Sequence, residues 1–341
     1  MIYFTSDLHL GHGNCINLCS RPFDGLAQMD EALISNWNAR VNNSDTVYIV
    51  GDLIWESADP IGYLKRLNGR KFLIAGNHDI KWLKKSGMAR VDAAGNVEFR
   101  DFAEYFINIA QYVQTKINNI TVTLCHYPMY EWKASRKLGS VKKLGYHIYG
   151  HIHNSTDEKY APLFVLPHAL NAGADVNGFA PVTFDELVSN NEAFKLKALE
   201  SPVDKARFLA AKYHMYQTDR SGKPYVTHPT TVAGMVEGQT EKCVAFLHDV
   251  LEDTDISVKL LEDNFSAEVV AAVKAMTHAP DTDYFDYIKT VAKNPIARKV
   301  KLADLTHNMD MSRLKTVTDR DLARLEKYKK AYEYLTELDN K

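Results

Sequence analysis

The sequence has little of what would take it out of the soluble globular class. Its four cysteines, Cys15, Cys19, Cys125 and Cys243, contain no Cys-x-x-Cys pair. A structural zinc knuckle is therefore not expected, and the thiols read as reduced. No charge sign dominates: 41 Lys and Arg stand against 43 Asp and Glu, a net charge of -2. That excludes a global basic field drawing in nucleic acid or a membrane surface. No apolar run approaches the ~18 residues of a membrane span, and low-complexity tracts are absent. The first residues read as a strand and not as a signal peptide. The expectation is a cytoplasmic protein with no membrane partner. At 341 residues the natural division is into two domains.

What is present begins with Lys71-Phe72-Leu73-Ile74-Ala75-Gly76-Asn77-His78-Asp79, an apolar run that stops abruptly in polar residues. Such a run reads as a buried strand delivering side chains to the loop at its C-terminal end. The design recurs. Met1–Thr5 leads through Ser6 into Asp7-Leu8-His9, and Thr46–Val50 leads into Gly51-Asp52. Ile120–Cys125 leads into His126, and Tyr146–Tyr149 leads into Gly150-His151-Ile152-His153. Helical spacing of Met29, Leu33, Ile34 and Trp37 predicts a helix over about 26–41 covering a sheet. A second helix is predicted from Pro60 to Leu67, and residues 80–105 give no clear pattern. Strands alternating with helices predict an α/β domain. The tips supply Asp7, His9, Asp52, Asn77, His126, His151 and His153. That donor set suits two divalent metals sharing one carboxylate.

These motifs resemble the calcineurin-like metallophosphoesterases over about residues 1–190. Gly11-His12, Arg21-Pro22-Phe23 and Asn171-Ala172-Gly173-Ala174-Asp175 resemble a small bacterial and phage-type branch. The resemblance implies two packed sheets flanked by helices, a four-layer β-sandwich. It implies one metal on Asp7, His9, Asp52 and His153, and another on Asp52, Asn77, His126 and His151, drawn from Mn, Fe, Zn or Ni. His78 would be the acid or orienting group near the leaving oxygen. His12 is a candidate phosphate contact.

The polar stretch from Ser189 to Pro202 places the boundary near 192–198, giving domains 1–192 and 199–341. Beyond it helical patterns take over: 203–217, 229–237, 241–252, 267–276, 284–293, 296–309 and 318–339. An all-α domain is expected. Within the apolar run Val244–Leu251, the adjacent pair His248-Asp249 is expensive to bury unless something pairs with it. A metal held with His228 and Asp304 would do so. Glu252 and Asp253 follow His248 and Asp249 by four, as Asn308 follows Asp304.

This half is similar to HD-domain metal hydrolases. Gly222–Pro229, His248–Thr254 and Lys301–Asp304 resemble the alarmone (ppGpp) hydrolase branch, the RelA/SpoT-type and small alarmone hydrolases. The resemblance implies one Mn(II) on His228, His248, Asp249 and Asp304. Glu252 and Asp253 would activate and orient water, and Arg220, Lys223 and Asn308 would contact substrate. No synthetase part is expected. The chain departs from that branch where Asp219-Arg220 and Leu305–Asp310 carry less positive charge than a polyphosphate site would want.

The combined reading is a bifunctional phosphohydrolase of phosphorylated nucleotides. One site would cleave phosphomono- or diesters and the other a (p)ppGpp-like 3′-pyrophosphate. RNA or tRNA 3′ ends, or cyclic nucleotides, are the alternative substrates. The local basic run Lys133, Arg136, Lys137, Lys142 and Lys143 bears on them, because it is suited to tracking a phosphate backbone. A nucleotide sensor with one inactive metal site is the alternative of another class.

Overall fold

The apolar strands expected in the first half all form, and their neighbours explain why. The computed structural model describes residues 1–56, 59–132, 134–135, 144–313 and 316–339. The basic run Lys133, Arg136, Lys137, Lys142 and Lys143 lies outside the described residues. The chain separates into two units, one mainly of residues 1–198 and one mainly from 199 onward. The first is mixed α/β and the second helical.

The α/β unit starts with β1 (Ile2–Thr5), α1 (Asn14–Leu18), α2 (Leu26–Arg40), β2 (Thr46–Ile49), α3 (Pro60–Arg66), β3 (Arg70–Ile74) and α4 (Asp79–Lys85). It continues with β4 (Ala89–Val91), β5 (Val97–Phe99), β6 (Phe106–Ala110), β7 (Tyr112–Ile117), β8 (Ile120–Cys125) and β9 (Tyr146–Tyr149). Last come α5 (Ala161–Phe164), β10 (Ala169–Asn171) and α6 (Phe184–Ala198). One sheet has the order β1-β2-β3-β6, with every neighbour parallel. The other has the order β10-β9-β8-β7, parallel except for the β7–β8 pair. Parallel neighbours put the C-terminal ends of β1, β2 and β3 on one edge, and those of β8 and β9 likewise. The polar tips therefore gather in loops at strand ends.

Met29, Leu33 and Trp37 line the buried face of α2 and join Val47, Ile49 and Leu73 in one core cluster. The Trp37 indole donates to the Asn68 carbonyl at 2.9 Å, so its polar edge is satisfied inside that core. The unreadable region holds α4 and the hairpin β4–β5. β6 and β7 also escaped the sequence pattern, because neither alternates cleanly between buried and exposed positions.

Most of the segment read as polar boundary, up to Ala198, is the second half of α6, and the two units divide at its end. Its polar residues are committed to the sheet. Asn191 Oδ1 accepts from the Asn171 amide at 2.6 Å, and the fully buried Lys195 ammonium donates to the Ala169 carbonyl at 2.5 Å. Polar composition there reflects buried hydrogen bonding and not a linker.

The helical unit comprises α7 (Pro202–Tyr213), α8 (Thr227–Gly234), α9 (Gln239–Leu247), α10 (Val250–Asp253) and α11 (Val258–Asn264). It continues with α12 (Ala267–Met276), α13 (Tyr284–Ala292), α14 (Pro295–Met309) and α15 (Asp319–Asp339). Ser201-Pro202 and Asn294-Pro295 start α7 and α14. In each, the cap side chain accepts a backbone amide and proline fills the first turn. Helix α9 packs against α7, α8, α12 and α14, which is why Val244, Ala245 and Leu247 are all wholly buried. The single helix expected over 241–252 is broken. His248 and Asp249 form a turn between α9 and α10.

One carboxylate ties the strand-end loops of the first sheet together. Asp79, fully buried, accepts from the amides of Asp52 (2.7 Å), Leu53 (3.0 Å) and Gly76 (2.8 Å) and from the Trp82 indole (2.9 Å). Replacing it leaves four buried donors without a partner. Asp79→Ala is therefore expected to destabilise the α/β unit by at least about 3 kcal/mol, read as an earlier denaturant midpoint in tryptophan fluorescence.

Candidate metal centres

In the α/β unit the seven tip residues converge. His126 Nε2 lies 3.2 Å from Asp52 Oδ2 and 3.1 Å from Asn77 Oδ1. His151 Nδ1 lies 3.2 Å from the same Asn77 oxygen, and His9 Nε2 lies 3.7 Å from Asp52 Oδ2. His153 Nε2 stands 4.0 Å from Asp7 Oδ1. Asp52 thus sits between the group around His9 and the group around His126 and Asn77.

The backbone is bent to achieve this. Asp7, His9, Asp52, His151 and His153 all have φ between 51° and 71°, a conformation side-chain-bearing residues rarely adopt. Such strain persists where surrounding structure over-determines it, typically at functional sites. Glycines make room between the loops: a Cβ on Gly76 would overlap Asp52 Oδ1, and one on Gly150 would overlap Ser6 Oγ.

Neighbours also fix which ring nitrogen faces inward. His126 Nδ1 donates to the Val50 carbonyl at 2.8 Å, leaving Nε2 toward Asp52. His153 Nδ1 donates to Asp175 Oδ2 at 2.8 Å. Asp175 is gripped in turn by Arg21, whose Nε and Nη2 reach its two oxygens at 2.8 and 3.0 Å. Arg21 also donates to the Asp7 and Leu8 carbonyls, at 2.6 and 2.9 Å. This wholly buried Arg21–Asp175 pair aims one imidazole and holds one ligand loop. Sequence reading assigned it no role, although both residues lie in quoted motifs.

Neither nitrogen of the buried His9 ring has a hydrogen-bond partner. An imidazole so placed, among carboxylates, fits a cation better than a structural hydrogen bond. Burial drives the His9 pKa down to about 2, so the ring is neutral and able to ligate. Burial also works against a proton on His126, but Asp52 and Asp7 raise its pKa to about 9. His78 lies at the rim, 3.9 Å from Asp52 Oδ2, with its ring against Trp55. His12 stacks flat on Trp55 at 3.6 Å, and both line a cavity of about 760 Å³ that also contains His78 and Asn77.

The helical unit gathers a tighter set. His248 Nε2 lies 3.2 Å from His228 Nε2 and 3.0 Å from Asp249 Oδ2, and His228 Nε2 lies 3.1 Å from Asp304 Oδ1. Neighbouring donors on one ion with ~2.1 Å bonds at right angles stand about 3 Å apart. His228, His248 and Asp304 therefore lie close enough together to share a single small divalent cation, with Asp249 beside His248. His248 Nδ1 donates to the Ala245 carbonyl at 2.7 Å, and His228 Nδ1 pairs with His307 Nδ1 at 2.7 Å, so both Nε2 atoms point inward. Asn308 donates to Asp304 Oδ1 at 2.6 Å, Lys301 meets Asp304 Oδ2 at 2.9 Å, and the Tyr225 hydroxyl donates to Asp249.

Around this set lies a cavity of about 450 Å³ whose wall includes Glu252, Asp253, Asn308, Tyr284, Arg324 and Tyr328. Burial and the neighbouring Asp249 raise the Glu252 and Asp253 pKa values. Arg220 also lines it, but its guanidinium is engaged by Asp321. Lys223 is exposed and does not line it. Tyr225, Lys301, Arg324 and Tyr328 were not singled out from the sequence. Arg324 and Tyr328 stand four apart on a highly charged helix, where nothing local separates a cavity face from a solvated one.

Two outcomes follow from these contacts. Asp175→Ala is expected to weaken metal binding by the α/β unit about 10–100-fold, measured by metal titration. It should lower the melting temperature too, since Arg21 is left buried without its counter-ion. Burial resists a proton on His248, but Asp249 and Asp304 raise its pKa to about 10, so with His126 it is protonated in metal-free protein at neutral pH. Metal loading near pH 7.5 should therefore release protons, and affinity should climb with pH toward 9–10. Calorimetry in buffers of different ionisation enthalpy reads this directly.

Both halves of the chain have similar counterparts among known proteins. Residues 1–155 match the family described as calcineurin-like phosphoesterase. An uncharacterised protein of Methanocaldococcus jannaschii is 29% identical over 198 residues, covering 57% of this chain and 93% of that protein. A probable guanosine-3′,5′-bis(diphosphate) 3′-pyrophosphohydrolase of Synechocystis is 36% identical over 116 residues, 30% of this chain, and the chain spans 15% of its length. Among solved structures, a metazoan SpoT orthologue described as hydrolysing ppGpp aligns with TM-score 0.36 and 24% identity, covering 40% of this chain and 86% of that one. Residues 1–155 thus match the calcineurin-like phosphoesterase family, and the C-terminal part is similar in sequence to short stretches of RelA/SpoT-type proteins.

Proposed function

We propose that the chain is a bifunctional phosphohydrolase with domains over residues 1–192 and 199–341, the first a four-layer metallophosphoesterase sandwich and the second an HD domain. The first would cleave phosphomono- or diesters and the second a (p)ppGpp-like nucleotide 3′-pyrophosphate. The observation that carries the reading is the four-donor cluster His228, His248, Asp249 and Asp304 beside Glu252 and Asp253 in one cavity. A volume of about 450 Å³ lies within the range for nucleotide-sized ligands.

In the first site, Asp7, His9, Asp52 and His153 would hold one divalent metal, and Asp52, Asn77, His126 and His151 a second, with Mn, Fe, Zn and Ni as candidates. In the second, His228, His248, Asp249 and Asp304 would hold one Mn(II). Bound metals lower the pKa of a water and neutralise charge developing on phosphoryl oxygens, so no covalent protein nucleophile is needed. The protein's own groups do the rest. His78, on the rim and partly open to solvent, delivers a proton to the leaving oxygen. His12, held flat by Trp55, meets a phosphate oxygen. In the helical unit, Glu252 and Asp253 take the proton from the attacking water and orient it, their raised pKa values suiting them to the task. Asn308 keeps Asp304 aimed at the cluster, while Arg324 and Tyr328 offer charge and a ring face to a nucleotide.

The test is product analysis with Mn(II) on ppGpp, its adenosine counterpart, cyclic nucleotides, a generic phosphodiester and a short RNA with varied ends. Asp249→Ala is expected to abolish pyrophosphate release alone, and Asp52→Ala phosphoester cleavage alone, each by more than about 100-fold. If ppGpp survives the wild-type chain while RNA ends or cyclic nucleotides are consumed, the alarmone assignment is wrong and the nucleic-acid reading takes its place.

A further inference from the structure

Glu252 and Asp253 ride on α10, a helix of four residues that is too short to hold its own shape. Its position must be set from outside. The His278 amide does so for Glu252, donating to its Oε2 at 2.9 Å. For Asp253 the outside contact is Gln217, just beyond α7, whose Nε2 donates to the Asp253 carbonyl at 2.7 Å. A carbonyl only accepts, so the Gln217 amide must turn its nitrogen toward Asp253 and its Oε1 the other way. There it meets His214 Nδ1 at 2.7 Å. An oxygen acceptor demands a proton on that nitrogen. Burial lowers the His214 pKa, so the ring carries this proton alone. His214 is 1% exposed, and its Nε2, left as a bare acceptor, has no hydrogen-bond partner among the described residues. The ring packs on Tyr225, 4.9 Å between centres, and the Tyr225 hydroxyl holds Asp249. Neither His214 nor Gln217 lines the cavity.

We propose that His214 is a positioning residue for the helical-unit centre. Through the Gln217 amide it pins the C-terminal end of α10 and so fixes where the Asp253 carboxylate stands, touching neither substrate nor metal. The imidazole supplies one donor in a fixed direction from the buried side, and the amide has a single orientation that satisfies both of its ends. An apolar residue at position 217 leaves the Asp253 carbonyl without this partner and α10 free to shift. A displacement of about 1 Å at a group that orients a reactant is worth about a hundredfold in rate. The effect on turnover rests on Asp253 orienting the attacking water, as set out above. The strut itself does not.

The experiment measures ppGpp turnover by the Mn(II)-loaded full chain. Gln217→Met is expected to lower kcat about tenfold or more while KM and Mn(II) affinity stay unchanged, because no substrate contact and no metal donor is removed. His214→Phe should do the same. His214→Asn, whose side-chain nitrogen can take the place of Nδ1, should recover most of the rate, which a merely structural loss would not. In Asp253→Asn, adding Gln217→Met should cost nothing further. Wild-type kcat in Gln217→Met, or a loss that adds in full to that of Asp253→Asn, overturns the proposal. A second readout needs no substrate. Nitrogen NMR shifts of isotope-labelled histidines, with His214 assigned by its absence in His214→Asn, should place the proton on Nδ1 in the wild-type chain. A proton on Nε2 overturns the strut. If the Nδ1 proton is found but the wild-type chain releases no pyrophosphate from ppGpp, the alarmone reading fails and the strut stands.

Discussion

The α/β site depends on the buried carboxylate of Asp79. Four N–H groups from two strand ends and a tryptophan converge on it, and the amide of Asp52 is one of them. A buried ion is tolerated only when donors surround it, so the requirement runs both ways. The loops satisfy the carboxylate, and the carboxylate fixes how far Asp52 and Asn77 stand apart. The left-handed turns at Asp7, His9 and Asp52 are held against their local preference by this kind of over-determination. Arg21 does the same on the other flank with opposite charge, joining Asp175 to two carbonyls of the first loop.

The two centres meet one electrostatic problem with different backbones. In the sheet unit, each strand end contributes one or two donors, and order comes from long-range contacts between loops. In the helical unit, helix ends and a helix break do the work, and most supporting contacts span one turn: Ala245 to His248, Asp304 to Asn308, and Lys301 to Asp304. The first arrangement spreads its donors on both sides of Asp52. The second packs them around a single point.

Much of this was legible because the clustered polar residues stand where apolar periodicity stops. The strands before Asp7, Asp52, Asn77, His126 and His151 announce themselves by short apolar runs, and the cost of burying His248-Asp249 marks the second centre. What was not legible has physical reasons. The strands at 106–117 alternate poorly, so their period is hidden. Asn191 and Lys195 look like linker residues because hydrogen bonding to β10, unlike burial of an apolar face, leaves no pattern in the sequence. The break at His248 is invisible to a periodicity that runs smoothly through it. Arg324 and Tyr328 belong to a helix so charged that its cavity face resembles its solvated one.

That break has a geometric meaning of its own. Consecutive residues of an unbroken helix point about 100° apart, so they cannot both face one point. At the turn after Leu247 two neighbouring side chains stand 3.0 Å apart at their donor atoms, with a single peptide link between them. The pair then presents two donors from adjacent residues of the main chain. Its second donor arrives at almost no entropic cost once the first is seated. Without a cation, the same pinch confines two carboxylates and two imidazoles within a few ångström.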